Sequence, residues 1–186
     1  AETVAPQTIH RAMRYSLFAG GKRIRPVLCI GAAEALGRTP EGIEDAACTL
    51  EMIHTYSLIH DDLPAIDNDD LRRGKPTLHK HAGESMAILA GDAMLSGAFE
   101  LLASSSLSAN PAIGLALLRE LSAATTAMIH GQVWDTLGGV DGTLSPIDQL
   151  RTIHSHKTGA LIRASCRMGA IVALGHADEN HPTLAA

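Results

Sequence analysis

The stretch from Ile43 to Leu63 constrains this chain more than any other. Ile43, Ala46, Ala47, Leu50, Ile53, Leu58 and Ile59 recur at helical spacing, giving an apolar stripe that must be buried against other elements. The stripe runs directly into Asp61-Asp62-Leu63-Pro64. Proline restricts the residue before it and interrupts the hydrogen-bond ladder, so the helix is expected to end near Leu63. A core helix thus delivers acids at its end.

The rest of the chain repeats the helical habit. Hydrophobic residues make up 46% of the 186 residues but aromatics only 3%. Ala, Leu, Ile and Met supply the apolar bulk, which suits packed helices better than sheets. An all-α antiparallel helical bundle, one domain over residues 1–186, is expected. Helices are expected over Thr8–Phe18, from Arg25-Pro26 to Leu36, and from Thr39-Pro40-Glu41 onward. Others follow at Glu84–Ser104, Pro111–Leu121, Ala123–Leu137 and from Ser145-Pro146 through Gly159 to Leu174, and a last one begins at Leu184-Ala185-Ala186. Residues 65–81 form a polar connection between helices, where function concentrates.

Composition narrows the function. A net charge of -5 argues against nonspecific nucleic-acid binding. No stretch reads as long and apolar enough to cross a bilayer, so stable membrane insertion is not expected. Cys29, Cys48 and Cys166 lack zinc-ligand spacing and read as reduced core thiols. A cytoplasmic protein is expected, or an organellar one after removal of a transit segment.

The acids carry the sharpest chemistry. Asp61, Asp62, Asp67, Asp69 and Asp70 fall within ten residues, and Leu71-Arg72-Arg73-Gly74-Lys75-Pro76 follows at once. Crowded carboxylates repel one another, and a hard cation relieves that cost. Magnesium is commonly held by one or two carboxylates, with phosphate oxygens and water completing its shell. Arginine forks can grip the remaining phosphate oxygens. A metal–phosphate site and a solvated charged loop both fit these residues. A calcium loop of the EF-hand type does not, because neither register places glycine sixth and glutamate twelfth. A second cluster, Gly20-Gly21-Lys22-Arg23-Ile24-Arg25-Pro26, lies at a loop-to-helix junction that favours an anion. It lacks the pattern of a nucleotide P-loop.

These segments together resemble the trans-type isoprenyl diphosphate synthases, the family of farnesyl and geranylgeranyl diphosphate synthases. The resemblance runs through residues 20–26, Glu51–His60, Asp61–Pro76, Ala90-Gly91-Asp92-Ala93, Gly131-Gln132-Val133-Trp134-Asp135 and His156–Leu161. It implies head-to-tail condensation of isopentenyl diphosphate with an allylic diphosphate, dependent on Mg2+ with Mn2+ as a substitute, in a homodimer. By that resemblance Asp61, Asp62 and Asp67 hold metal, and Arg72 and Lys157 bind the allylic diphosphate. Lys22, Arg25, His54 and Arg73 bind isopentenyl diphosphate, although His54 reads equally as a core residue on local grounds. Thr158 and Gln132 lie near the reacting carbons, and Asp92 and Asp135 are supporting residues. Tyr56 and Ser57, five and four places before the first aspartate, set the cavity floor. With the two-residue expansion between Asp62 and Asp67 they point to a fifteen-carbon product, with twenty carbons as the alternative.

One family feature is not found. No aspartate pair follows Asp70, and Asp178-Glu179 is in the wrong context for the family's second aspartate-rich motif. The expectation is a chain incomplete at its C-terminus and inactive by itself. A non-catalytic partner subunit and an inactive diphosphate-binding fragment are the competing readings. Retention of Asp61, Asp62, Asp67, Arg72 and Arg73 favours the enzyme.

Overall fold

A computed structural model describes residues 4–178 and 181–185. Its helices are α1 (Gln7–Leu17), α2 (Ile24–Ala35), α3 (Ile43–Asp61), α4 (Leu78–Ala82), α5 (Glu84–Ser104), α6 (Pro111–Leu137), α7 (Pro146–His154), α8 (Ala160–Leu174) and α9 (Pro182–Ala185). A 3-10 turn at Ser106–Ala109 precedes α6, and a π turn at Ser155–Gly159 joins α7 to α8. Among the described residues, extended structure is confined to β1 (Leu71–Arg72) and β2 (Lys75–Pro76), paired antiparallel. The all-α expectation holds.

The helix boundaries follow local chemistry. Asn110 caps α6 by accepting from the Ala112 N–H at 3.1 Å, with Pro111 in the first turn. Ser145 caps α7 in the same way, ahead of Pro146. Gly175, at φ 72°, closes α8 in the left-handed conformation. Three expected boundaries are corrected. α3 starts at Ile43, not at Pro40, because Gly42 sits at φ 89°, outside helical space. The segments expected on either side of Ser122 form one helix, α6, since a single exposed serine costs a helix only a few tenths of a kcal/mol or so. α3 ends at Asp61, where the chain turns back on itself. The last helix lies at Pro182–Ala185; Glu179 and Ala186 are outside the described residues.

The chain falls into two compact units. The first contains the described residues of Ala1–Arg23 and Glu51–Leu101, the second those of Ile24–Leu50 and Leu102–Ala186. In the first, Ile53, Ile59, Leu78, Ala87, Ala90, Met94 and Ala98 are buried. In the second, α2 packs on α8, and α6 packs on α8 and on the π turn. Small residues let these backbones approach. A Cβ on Gly169 of α8 would stand 2.0 Å from the Cys29 carbonyl oxygen of α2.

Two further expectations are corrected. Only Cys29 is a buried thiol, and burial pushes its pKa up to about 12, with Cys166 adding to the shift. Cys48 and Cys166 are exposed, because each falls off the apolar stripe of its helix. Among the described residues α5 and α6 are long and apolar enough, by length and composition, to cross a membrane. Their Ala- and Leu-rich sequences carry few charges, and less than half of either stretch is buried.

Candidate active site

In the first unit, the end of α3 is folded onto the hairpin by a set of short bonds. The Asp67 N–H donates to the Asp61 carbonyl at 3.0 Å, and the Ile66 and Asn68 N–H groups donate to the Leu63 carbonyl at 2.9 and 3.1 Å. These bonds return Asp67 to the helix end. Asp61 is half-buried and Asp67 exposed. The backbone bond thus brings Asp67 back to Asp61, and both residues retain access to solvent.

Asp62 faces the other way. It is 3% exposed. The Arg72 Nε donates to its Oδ1 at 2.5 Å, and Arg72 Nη2 also donates to Asp69 Oδ2 at 3.0 Å. Burial drives the Asp62 carboxyl above the usual carboxylate range against the pull of Arg72. Burial also pulls Arg72 down, yet its bond to Asp62 and the charges of Asp62, Asp69 and Asp61 carry it above its ordinary value. The geometry decides for a charged pair, because a guanidinium stays protonated and its donors are already in place. The pair spans ten residues of chain and fixes the hairpin to the end of α3.

The hairpin register pairs Leu71 with Pro76 and Arg72 with Lys75. Arg73 and Gly74 turn the chain at φ 55° and 77°, both left-handed, as a tight two-residue hairpin requires. Thr77 ties the strand ends together by donating its hydroxyl to the Asp69 carbonyl at 2.8 Å. Positive φ at Arg73 carries its side chain back to the loop after α1, where its Nη1 donates to the Gly20 carbonyl. Gly21, at φ 120°, leaves room for that guanidinium; a Cβ there would lie 2.6 Å from Arg73 Cζ. The exposed Lys22 follows directly. Lys22 and Arg73, expected to share one ligand, are thus joined through two glycines. Arg23 is turned inward instead, with its guanidinium paired to the buried Glu51 and donating to the Leu17 carbonyl. His54 is half-buried on α3, and Ser57 donates its hydroxyl to the His54 carbonyl at 2.9 Å.

Tyr56 is 5% exposed, and its hydroxyl has no hydrogen-bond partner among the described residues. Burial raises its pKa to about 12. Leaving a buried hydroxyl unpaired costs about 1–3 kcal/mol.

The second unit holds the remaining expected residues. Lys157 lies in the π turn and donates to Asp135 Oδ2 of α6 at 2.5 Å. Gln132, half-buried on α6, donates to the Thr136 hydroxyl at 3.0 Å. Thr158 is exposed and Arg25 half-buried in the first turn of α2. A Cβ on Gly131 would stand 2.2 Å from the Lys157 backbone nitrogen, so glycine lets α6 touch the backbone that carries Lys157. π turns of this kind recur at functional sites.

Asp69 as second partner of Arg72, and Asp135 as partner of Lys157, were not singled out as such in the sequence. The i, i+3 spacing of Asp69 and Arg72 was the available signal. No local spacing links Asp135 to Lys157.

The donor set suits a hard cation. Asp61 and Asp67 offer carboxylate oxygens at one turn, as magnesium sites with phosphate and water ligands do. Among the described residues no three His, Cys, Asp or Glu side chains gather as a full protein cage. Two carboxylates beside an arginine–carboxylate pair have the chemistry to hold an anion together with a hard cation.

The description "Polyprenyl synthetase" belongs to the family model that matches residues 6–185. The large subunit 1 of a chloroplastic heterodimeric geranylgeranyl pyrophosphate synthase from Arabidopsis thaliana is 54% identical over 94% of this chain and 48% of its own length. The farnesyl diphosphate synthase of Geobacillus stearothermophilus is 48% identical over 93% of this chain and 58% of its own. Among solved structures, a geranyltransferase from Legionella pneumophila superposes with a TM-score of 0.86 at 39% identity, covering 98% of this chain and 64% of the other. The FPP/GFPP synthase of Zymomonas mobilis gives 0.85 at 36% identity, over 95% and 64%. The chain belongs to the polyprenyl synthetase family and has the isoprenoid synthase fold. It spans about half the length of the curated relatives it matches.

Proposed function

We propose that the encoded protein is a magnesium-dependent prenyltransferase that condenses isopentenyl diphosphate with a short allylic diphosphate. The observation that supports this most is the arrangement at the end of α3. A backbone bond brings Asp67 back to Asp61, and both retain access to solvent, while Asp62 holds Arg72 from within. Asp61 and Asp67 are assigned to the metal; Asp62, expected there with them, is assigned elsewhere because it is buried against the Arg72 guanidinium. Asp62 acts through Arg72, which it presents to the allylic diphosphate. Bound magnesium supplies Lewis-acid charge for the departing diphosphate.

The protein's own groups do the rest. Arg72 and Lys157 offset the charge that grows as the allylic carbon–oxygen bond breaks. Lys22, Arg25, His54 and Arg73 hold isopentenyl diphosphate so that its double bond attacks the allylic carbon. Thr158 and Gln132 lie beside the carbons that bear the charge. A proton then leaves the new chain for the departing diphosphate. The buried Tyr56, with Ser57 beside it, supports a fifteen-carbon product; twenty carbons is the alternative. A homodimer is the assigned assembly.

The test is a product assay on the full encoded protein with geranyl and isopentenyl diphosphates. Prenyl product is expected with magnesium and none after chelation. Binding of both diphosphates without any product would favour the partner-subunit reading instead.

A further inference from the structure

The histidine that precedes the first aspartate has no role in the account above, yet it is held with unusual care. His60 Nε2 lies 3.1 Å from the Ile88 carbonyl oxygen. Only a protonated nitrogen satisfies that contact, so Nε2 carries the hydrogen. The Asp92 carboxylate stands 3.8 Å from the same nitrogen. The α5 backbone is bare where the ring lies: a Cβ on Gly91 would fall 2.1 Å from Nε2 and 2.5 Å from Cδ2. Gly91 is helical and buried, with no positive φ to explain it. A glycine in a helix interior costs about 1 kcal/mol against alanine, so its use here answers to the ring. One turn back along α3, the Tyr56 ring meets the His60 ring edge-on, with centroids 5.8 Å apart and planes at 84°. Among the described residues the Tyr56 hydroxyl has no hydrogen-bond partner, so no polar contact fixes the angle of its ring.

We infer that His60, seated against the bare backbone of Gly91, is a positioning residue that holds the Tyr56 ring and so sets product length. The inference rests on the assignment of Tyr56 to the cavity floor. Discrimination by such a floor is steric. It fails when the ring can swing aside, even if every group that touches diphosphate stays in place. Asp92 is exposed and contributes through charge alone, so it matters less than Gly91.

The test compares His60→Ala, Gly91→Ala and Tyr56→Ala in the full encoded protein, with product chain lengths resolved after multiple turnovers. His60→Ala removes the support without adding bulk, so the result does not depend on tolerance of a clash at Gly91. Gly91→Ala meets side-chain atoms of His60 and no backbone, and circular dichroism checks its fold. Both variants are expected to raise the ratio of the next longer product to the main one by about tenfold, the scale on which small steric changes alter specificity. The rate of the first condensation is expected to change less than that ratio. If Tyr56→Ala lengthens the product while His60→Ala and Gly91→Ala leave its length unchanged, the inference is overturned. If Tyr56→Ala also leaves length unchanged, the floor assignment itself fails and the inference falls with it.

Discussion

Alanine at Asp61 or at Asp67 is expected to lower turnover by about a thousandfold, the scale seen when one preorganised electrostatic group is removed. Neither change should cost much stability. Asp61 is half-buried and Asp67 exposed, and what ties them together is a backbone bond from the Asp67 N–H to the Asp61 carbonyl. Substitution at an exposed position such as Asp67 usually stays within about 0.5 kcal/mol, and the half-buried Asp61 is expected to cost less than the buried Asp62. Asp62 should behave differently. Its carboxylate is 5% exposed and is paired to Arg72 at 2.5 Å. Alanine there leaves a guanidinium partly buried without that partner. Breaking a fully buried pair costs about 3–5 kcal/mol; Arg72 is 30% exposed, so water recovers part of this and about 2 kcal/mol is expected. Denaturant midpoints and initial rates on the three variants separate the roles. Equal losses of stability at all three positions would contradict the division of labour proposed for these aspartates.

Gly131→Ala is expected to destabilise the protein by about 2 kcal/mol. Alanine is the better helix former by about 1 kcal/mol, so propensity alone predicts the opposite sign. The new Cβ would meet the Lys157 nitrogen at 2.2 Å and its Cα at 2.6 Å. Both are backbone atoms, and no side-chain rotation relieves the overlap. Overpacking of this kind costs about 1–3 kcal/mol, and a backbone-to-backbone clash belongs at the upper end. Gly31→Ala on α2 is the control, because a Cβ there meets nothing within 4 Å. It should stabilise by about 0.5–1 kcal/mol. Opposite shifts in the denaturant midpoint are predicted. A shared gain in stability would show that α6 and the π turn are not in such close contact.

The sequence made the helices legible wherever apolar spacing and caps agreed, as at Asn110-Pro111 and Ser145-Pro146. It misplaced the start of α3, because the positive φ of Gly42 depends on the path of the chain and not on residue type. Periodicity follows a helix but not an inserted residue, so the π turn at Ser155–Gly159 read as unbroken helix. The acid-then-arginine order identified the candidate site. It could not show which aspartate turns inward, since Asp61 and Asp62 are adjacent and chemically identical. That choice depends on the hairpin returning Arg72 to α3. The thiols are misread for a related reason. Residue type gives the tendency to be buried, while the exposure of Cys48 and Cys166 depends on which face each helix turns inward.

The most direct measurement is calorimetric titration of geranyl diphosphate into the full encoded protein, with magnesium and again with chelator, alongside Arg72→Ala. Saturable binding that needs the cation and weakens at least tenfold in the variant, about 1.4 kcal/mol, is the predicted result. Affinity unchanged by removing magnesium and by losing Arg72 would contradict the account, because nothing at the end of α3 would then be gripping the headgroup.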